Sequence, residues 1–103
     1  MELALAELRS LLKNEENETA YEVGTKYLVR CVTMFYTGRL KRITPGELVF
    51  EDASWIADTG RFHDALKTGD LREVEPFIEE VIIPRTAIID ASKWNHDLPR
   101  NQK

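Results

Sequence analysis

The stretch Arg39-Leu-Lys-Arg-Ile-Thr-Pro-Gly-Glu-Leu-Val-Phe-Glu-Asp-Ala53 contains a turn between two runs of strand-forming residues. At its centre, Thr44-Pro45-Gly46-Glu47 places Pro at the second and Gly at the third position of a type II turn, where Gly tolerates a positive φ. The flanking residues 39–43 and 47–53 are compatible with paired strands. The sequence therefore predicts a β-hairpin here.

Further strands are predicted on both sides of this hairpin. Residues 27–36 are rich in β-branched and aromatic residues on both faces, which is typical of a strand covered on two sides. Thr37-Gly38 is interpreted as a bend that ends this strand. Residues 77–83 and 86–91 also favour strands, and Pro84-Arg85 interrupts them because Pro cannot donate a ladder hydrogen bond. Five strands are therefore expected.

The remaining segments predict a helix, a linker, a loop and a tail. Apolar residues recur at the helical period over residues 2–13, and the polar residues 14–25 are read as a linker. Residues 57–73 form an elaborated loop with one or two helical turns between Phe62 and Lys67. Residues 92–103 are expected to be a polar tail with a frayed end.

The length indicates a single domain over residues 1–103, and the succession of predicted strands indicates a mainly β one. We expect an N-terminal α-helix followed by a five-stranded, strongly bent antiparallel barrel over residues 26–91. No apolar run is long enough to cross a bilayer, and no secretory signal is apparent. The single cysteine, Cys31, fits a reducing compartment, so a cytoplasmic location is predicted.

The charges and motifs exclude several kinds of function. With 14 basic and 18 acidic residues the net charge is −4, which argues against broad, sequence-independent binding of nucleic acid. No spacing of His, Cys or carboxylate residues matches a metal site, and no nucleophile or phosphate-loop motif is present. We therefore predict no metal, no cofactor and no enzymatic activity.

Two polar groups of residues are candidate sites. Arg39 and Lys41 share one face of a predicted strand, and Tyr36 is an aromatic neighbour on which a base could stack. The alternative is a solvated strand face. The second group lies in the predicted loop, where binding groups often occur, and contains Asp58, Arg61, His63 and Asp64. The alternative is a structural role, in which loop-capping hydrogen bonds and an Asp58–Arg61 ion pair account for these residues.

The last two predicted strands are apolar on both faces, and a barrel of this size cannot bury them all. An apolar edge strand promotes aggregation unless it pairs with another chain. The sequence therefore predicts a homo-oligomer whose interface contains Phe77, Ile78, Val81, Ile82, Ile83, Ala87, Ile88 and Ile89.

Two segments resemble the Sm-like family of ring-forming, RNA-associated proteins, which includes the Lsm proteins and Hfq. Residues 32–53 are similar to the first family motif, and residues 81–89 are similar to the second, an apolar strand, an Arg-containing corner and another apolar strand. The chain departs from the family at Thr44–Glu47, which lacks a base-contacting asparagine, and at Arg85-Thr86, where the family has Arg-Gly. It looks like a divergent branch, such as a phage-encoded one.

The resemblance implies an SH3-like Sm barrel in a cyclic homo-oligomer of about five to seven subunits, with the fourth strand of one subunit paired to the fifth of the next. It would place Arg85 at the pore, where a guanidinium can contact single-stranded RNA. The leading hypothesis is thus a non-catalytic ring that binds RNA through Arg85, with Arg39, Lys41 and Tyr36 as further contacts. The alternative is an oligomeric structural or protein-interaction hub without nucleic-acid binding. Neither DNA nor a membrane is an expected partner.

Overall fold

The computed structural model describes residues 19–103 and shows a mainly β protein. Its six strands are β1 (Lys26–Cys31), β2 (Phe35–Ile43), β3 (Glu47–Asp58), β4 (Glu73–Pro76), β5 (Val81–Pro84) and β6 (Ile88–Lys93). Within this range one helix, α1 (Phe62–Thr68), follows β3, and a 3-10 turn over Arg85–Ala87 joins β5 to β6. The predicted helix over residues 2–13 lies outside the described residues.

All the strands belong to one antiparallel sheet. Its main order is β4-β3-β2-β1-β6, and β5 pairs with a different part of β3. Between residues 19 and 103, β6 pairs only with β1 and β5 only with β3, so the sheet does not close. The described chain therefore has an open six-stranded sheet.

The predicted fold class is wrong, because the described residues form an open sheet of six strands in place of a five-stranded closed barrel. The strand expected over residues 77–83 is split, because the chain bends over Phe77–Glu80 and β5 contains only four residues. The helix that the structure describes lies after β3 rather than before β1. The helical turns expected between Phe62 and Lys67 are confirmed, since α1 covers them.

The predicted hairpin is confirmed, but its type II turn is wrong, because Gly46 does not have the positive φ that this turn requires at its third residue. Ile43 of β2 pairs with Leu48 of β3, and the Thr44 N–H donates to the Glu47 carbonyl at 3.0 Å. Beyond the hairpin, β3 bends at Asp52, which has a positive φ of 49°. This bend lets the first part of β3 pair with β5 and the second part pair with β4.

The first strand is shorter than predicted. β1 ends at Cys31, whose N–H donates to the Met34 carbonyl at 2.8 Å across a tight turn. The turn residues Val32 and Thr33 are β-branched, so nothing in their composition indicates a turn. β2 then continues without a break through Gly38, where a bend was expected, although its pairing with β3 shifts register between Thr37 and Arg39.

Gly38 allows β2 and β3 to pack closely and does not form a bend. A Cβ atom at this position would lie 3.0 Å from the Cβ of Phe50 and 3.2 Å from the Cβ of Ala53. Gly38 itself is buried in the middle of β2. The missing side chain therefore allows β3 to approach β2 closely.

Two apolar clusters stabilise the sheet. They lie on opposite faces of β1, because the adjacent residues Leu28 and Val29 belong to different clusters. The first cluster contains Tyr27, Val29, Leu40, Leu48, Phe50, Ala53 and Ile83. The second joins α1 and the C-terminal segment to the sheet through Leu28, Ile56, Ala65, Leu71, Val74, Trp94 and Leu98.

The C-terminal segment packs against the sheet, so the expectation that it frays is wrong. Trp94 is only 2% exposed, and its indole N–H donates to the Asp97 carbonyl at 3.2 Å. Lys103 and Val74 exchange two backbone hydrogen bonds of 3.0 and 3.1 Å, which cover part of the outer edge of β4. No helix in the described range is long and apolar enough to span a bilayer.

Substitution of Gly38 tests the close approach of β2 and β3. We expect Gly38→Ala to lower the free energy of unfolding by about 1–3 kcal/mol, because the new methyl group overpacks the first cluster. Gly46→Ala is the matched control, since a Cβ atom there meets nothing within 4 Å. Urea denaturation followed by circular dichroism measures both, and equal stability of the two variants would contradict this packing.

Candidate functional site

The outer edge of β5 is not covered by any other described strand. The Arg85 N–H donates to the Gly46 carbonyl at 3.0 Å, and hydrogen bonds alternate along an antiparallel ladder. This alternation directs the main-chain groups of Ile83 toward β3 and those of Ile82 away from it. Pro84 also lies at an outward position, where its missing N–H breaks no bond to β3.

The outer edge of β6 is likewise uncovered within residues 19–103. The Trp94 N–H donates to the Lys26 carbonyl at 2.9 Å. By the same alternation, Ser92 bonds to β1, whereas the N–H and C=O groups of Ala91 and Lys93 point outward. The two uncovered edges, named here the β5 edge and the β6 edge, flank the 3-10 turn that joins these strands.

Each edge strand carries one large exposed apolar side chain. Ile82 on β5 and Ile89 on β6 are each 55% exposed. The other predicted interface residues differ. Ile83 is a core residue and is 4% exposed, Ile78 is 99% exposed in the bend before β5, Phe77 lies in the same bend, and Val81, Ala87 and Ile88 are half-buried.

An apolar cleft of about 260 Å³ lies beside the β5 edge, and its lining includes Cys31, Met34, Tyr36 and Ile82. Burial raises the pKa of the Cys31 thiol, so the thiol stays protonated and is not an activated nucleophile. The Tyr36 hydroxyl donates to the Met34 Sδ at 2.9 Å, and burial also raises its pKa. The chemistry of the cleft suits an apolar side chain.

The predicted basic contacts are neutralised by neighbouring carboxylates. Arg39 pairs with Asp52 at 3.0 Å, and Lys41 pairs with Glu80 at 2.8 Å. The second hydrogen bond raises the pKa of Lys41 and lowers the pKa of Glu80. Both of these predicted basic side chains therefore have a carboxylate partner, and the Tyr36 ring is stacked on Phe77 with their centroids 6.0 Å apart.

Arg85 lies apart from these residues, at the corner between β5 and β6. Its side chain is half-buried, and its Nε and Nη2 atoms are buried without a hydrogen-bond partner in the described part of the chain. Tyr21 lies close enough for the Arg85 charge to lower its pKa, although burial has the larger effect and raises that pKa overall. Arg85 thus does not present these two donors to solvent.

The predicted polar cluster in the loop is not brought together as one site. The Asp58 carboxylate accepts a hydrogen bond from the Gly60 N–H at 2.8 Å and so caps the loop. Arg61 and Asp64 line an open depression of about 770 Å³, whereas His63 is exposed on α1 outside this lining. Across residues 19–103, no three His, Cys, Asp or Glu side chains are grouped as metal ligands.

Sequence reasoning missed the polar ends of the two edges. Glu80 lies just before β5, and Lys93 is the last residue of β6. Nothing in the sequence marks them, because their position depends on where β5 begins and on how β6 pairs with β1. Pro84 is the one sequence signal of an edge, since Pro is tolerated there.

Comparison with known proteins gives no match: no protein-family model, no curated protein and no solved structure is similar to this chain. The resemblance to the Sm-like family therefore stays a prediction.

Removal of the Arg85 guanidinium tests whether this group is unpaired. Arg85→Met keeps most of the apolar stem, so we expect the free energy of unfolding to stay unchanged or to rise by about 1 kcal/mol, because two unsatisfied donors disappear. The control is Arg30→Met, which removes an exposed ion pair with Asp90 and is expected to cost at most about 1 kcal/mol. If Arg85→Met instead lowers the stability by more than about 2 kcal/mol in urea denaturation, the guanidinium has a partner.

Proposed function

We propose that the protein is a non-catalytic scaffold that assembles with further copies of itself, the β5 edge of one copy pairing with the β6 edge of the next. The observation that carries this proposal is the presence of two uncovered edges, each with an outward ladder of main-chain groups and a 55% exposed isoleucine. Such edges invite pairing with another chain. Self-association covers both edges with a single kind of contact.

The geometry of this contact favours a closed ring. Because the two edges differ, the contact is heterologous, and a heterologous contact either closes into a ring or extends as a filament. Burial of Ile82 and Ile89 contributes about 1 kcal/mol each, and each cross-strand hydrogen bond adds about 1 kcal/mol. These gains are modest against an association cost of at least about 4 kcal/mol, so a single contact is weak. Ring closure holds every copy at two contacts and offsets this weakness.

The charges favour an interaction scaffold over an RNA-binding protein. Asp52 and Glu80 neutralise Arg39 and Lys41, and the net charge of −4 repels a polyanion. Contact between RNA and Arg85 remains a hypothesis that comes from the family resemblance. Salt-dependent retention on single-stranded RNA, lost in Arg85→Ala, would support that hypothesis instead.

Cys31 bears on both the non-catalytic role and the proposed location. The raised pKa of the Cys31 thiol supports a non-catalytic role, because this thiol is not poised as a nucleophile. A reduced single cysteine is also compatible with the proposed cytoplasmic location.

Two isoleucine substitutions test whether the edges drive assembly. We expect Ile82→Glu to weaken self-association at least about tenfold, because the interface would have to bury an unpaired carboxylate. Ile78→Glu is the matched control, since Ile78 is 99% exposed but lies in the bend outside both edge strands. Light scattering coupled to gel filtration gives the solution mass of each protein.

The control also separates two mechanisms. A contact that depends only on apolar surface would be more sensitive to Ile78→Glu, whereas edge pairing is more sensitive to Ile82→Glu. A wild-type monomer at high concentration would contradict the proposed function, and so would an oligomer that Ile82→Glu leaves intact.

A further inference from the structure

An exposed aromatic row lies beside an acidic depression, outside both edge strands. We infer that this surface, named here the aromatic–acidic surface, binds an extended, arginine-containing segment of another protein. A partner of this kind goes beyond the proposed self-assembly and does not depend on it, because none of the residues of this surface belongs to β5 or β6. The surface consists of Tyr36, Trp55, Phe77, Ile78, Glu51 and Glu79.

Three aromatic side chains form the row. Trp55 of β3 pairs with Tyr36 of β2, and residues directly opposite each other in an antiparallel ladder have their side chains on the same face. The Tyr36 ring is in turn stacked on Phe77, with their planes inclined by 23°. Trp55 is 38% exposed and Phe77 is 41% exposed, so both rings keep part of their surface open to solvent.

The bend that follows β4 places Phe77 and Ile78 at the end of this row. The Phe77 N–H donates to the Ala53 carbonyl at 2.8 Å, one residue beyond the position at which β3 bends. Ile78 is 99% exposed and lines the acidic depression together with Phe77. Exposed apolar side chains that adjoin one another and are bordered by charged residues are typical of a protein-binding surface.

The depression has a volume of about 430 Å³, and acidic side chains dominate its lining. Among the described residues that line it, Lys41 is the only cation, and the carboxylates are those of Glu51, Asp52, Glu79 and Glu80. Asp52 and Glu80 pair with Arg39 and Lys41. Glu51 and Glu79 form no ion pair with a described residue, so two carboxylates remain available to a cationic ligand.

Arginine fits both parts of this surface. Its guanidinium group is planar, so it can stack on an aromatic ring and donate hydrogen bonds to a carboxylate at the same time. An extended segment has no internal hydrogen bonds to break and presents its side chains in turn, and aromatic surfaces bind such segments when they are proline-rich. The same carboxylates repel phosphate groups, which makes a single-stranded nucleic acid the less suitable ligand.

Nuclear magnetic resonance of the isotope-labelled protein tests the site directly. The probe is a synthetic peptide in which proline and arginine alternate, since proline keeps it extended. The chain has two tryptophans, and Trp94 is only 2% exposed, so the two indole N–H resonances distinguish the surface from the core. We expect the resonance of Trp55 to shift during the titration and that of Trp94 to stay in place. A peptide with glutamine in place of arginine should bind at least about tenfold more weakly, because it makes neither the ion pairs nor the cation–π contact.

Two aromatic substitutions at positions of equal exposure locate the contact. We expect Phe77→Ala to raise the dissociation constant of the peptide about threefold to tenfold, because one ring of the row is lost. Phe62→Ala is the matched control and should leave this constant unchanged. Phe62 is also 41% exposed, but it lies on α1 against Phe35, which packs on the second apolar cluster at the other face of the sheet.

A carboxylate substitution tests the acidic part without removing any packing. Glu79→Gln keeps the size of an exposed side chain and should raise the dissociation constant of the peptide about twofold to fivefold, because one charge pair is lost. Glu73→Gln on β4 lies outside the depression and should have no effect. Circular dichroism checks that each variant keeps its fold.

A Trp55 resonance that stays in place throughout the peptide titration overturns the inference. Equal losses from Phe77→Ala and Phe62→Ala overturn it as well, and so does a Trp55 shift that single-stranded oligouridine causes and the peptide does not. The test is independent of self-assembly, since Ile82→Glu should dissociate the oligomer and still bind the peptide. A monomeric wild type that binds the peptide supports this surface while the proposed function fails. An oligomer that does not bind the peptide leaves the proposed function standing and overturns this inference.

Discussion

The architecture depends on the main-chain pairing of β3, the one strand that supports two others along the same side. Because Asp52 adopts a positive φ of 49°, β3 bends and pairs first with β5 and then with β4. Lys103 forms backbone hydrogen bonds with Val74 along the outer edge of β4, whereas no described residue forms such bonds along the outer edge of β5. β6 lies at the far end of the sheet, beside β1. The described chain therefore leaves two short edges, on β5 and β6, that no other described strand covers.

Local signals predicted the parts of the fold that local chemistry controls. The Pro45-Gly46 turn, the helical turns after Phe62 and the corner at Pro84-Arg85 all appear in the structure. The turn at Val32-Thr33 could not be predicted, because β-branched residues favour strands and only the pairing of β1 with β2 makes them turn. Likewise, a glycine at position 38 favours a bend in the sequence pattern, but in the structure its missing side chain allows Phe50 of β3 to pack closely against β2. Phe50 is distant in sequence, so this contact could not be predicted.

The candidate site was predictable to a similar degree. The apolar character of the last strands indicated an interface, and Ile82 and Ile89 lie on free edges. The sequence could not show that Ile83 turns into the core, because this depends on the register of β5 against β3. Nor could it show that Lys41 is neutralised, since its partner Glu80 is 39 residues away. Residue types indicated which apolar and charged side chains could contribute to the site. Tertiary contacts determined which of these side chains are exposed and which are buried or paired.

Amide hydrogen exchange of the edge strands, measured at high and low protein concentration, tests whether the β5 and β6 edges pair between copies. If the edges pair between copies, the outward amides of Ile82 and Ala91 exchange slowly when the protein is concentrated and faster on dilution. The inward amides of Ile83 and Ser92 should be protected at both concentrations, because they bond within the same chain. Rapid exchange of Ile82 and Ala91 at every concentration would contradict the claim that another copy covers these edges.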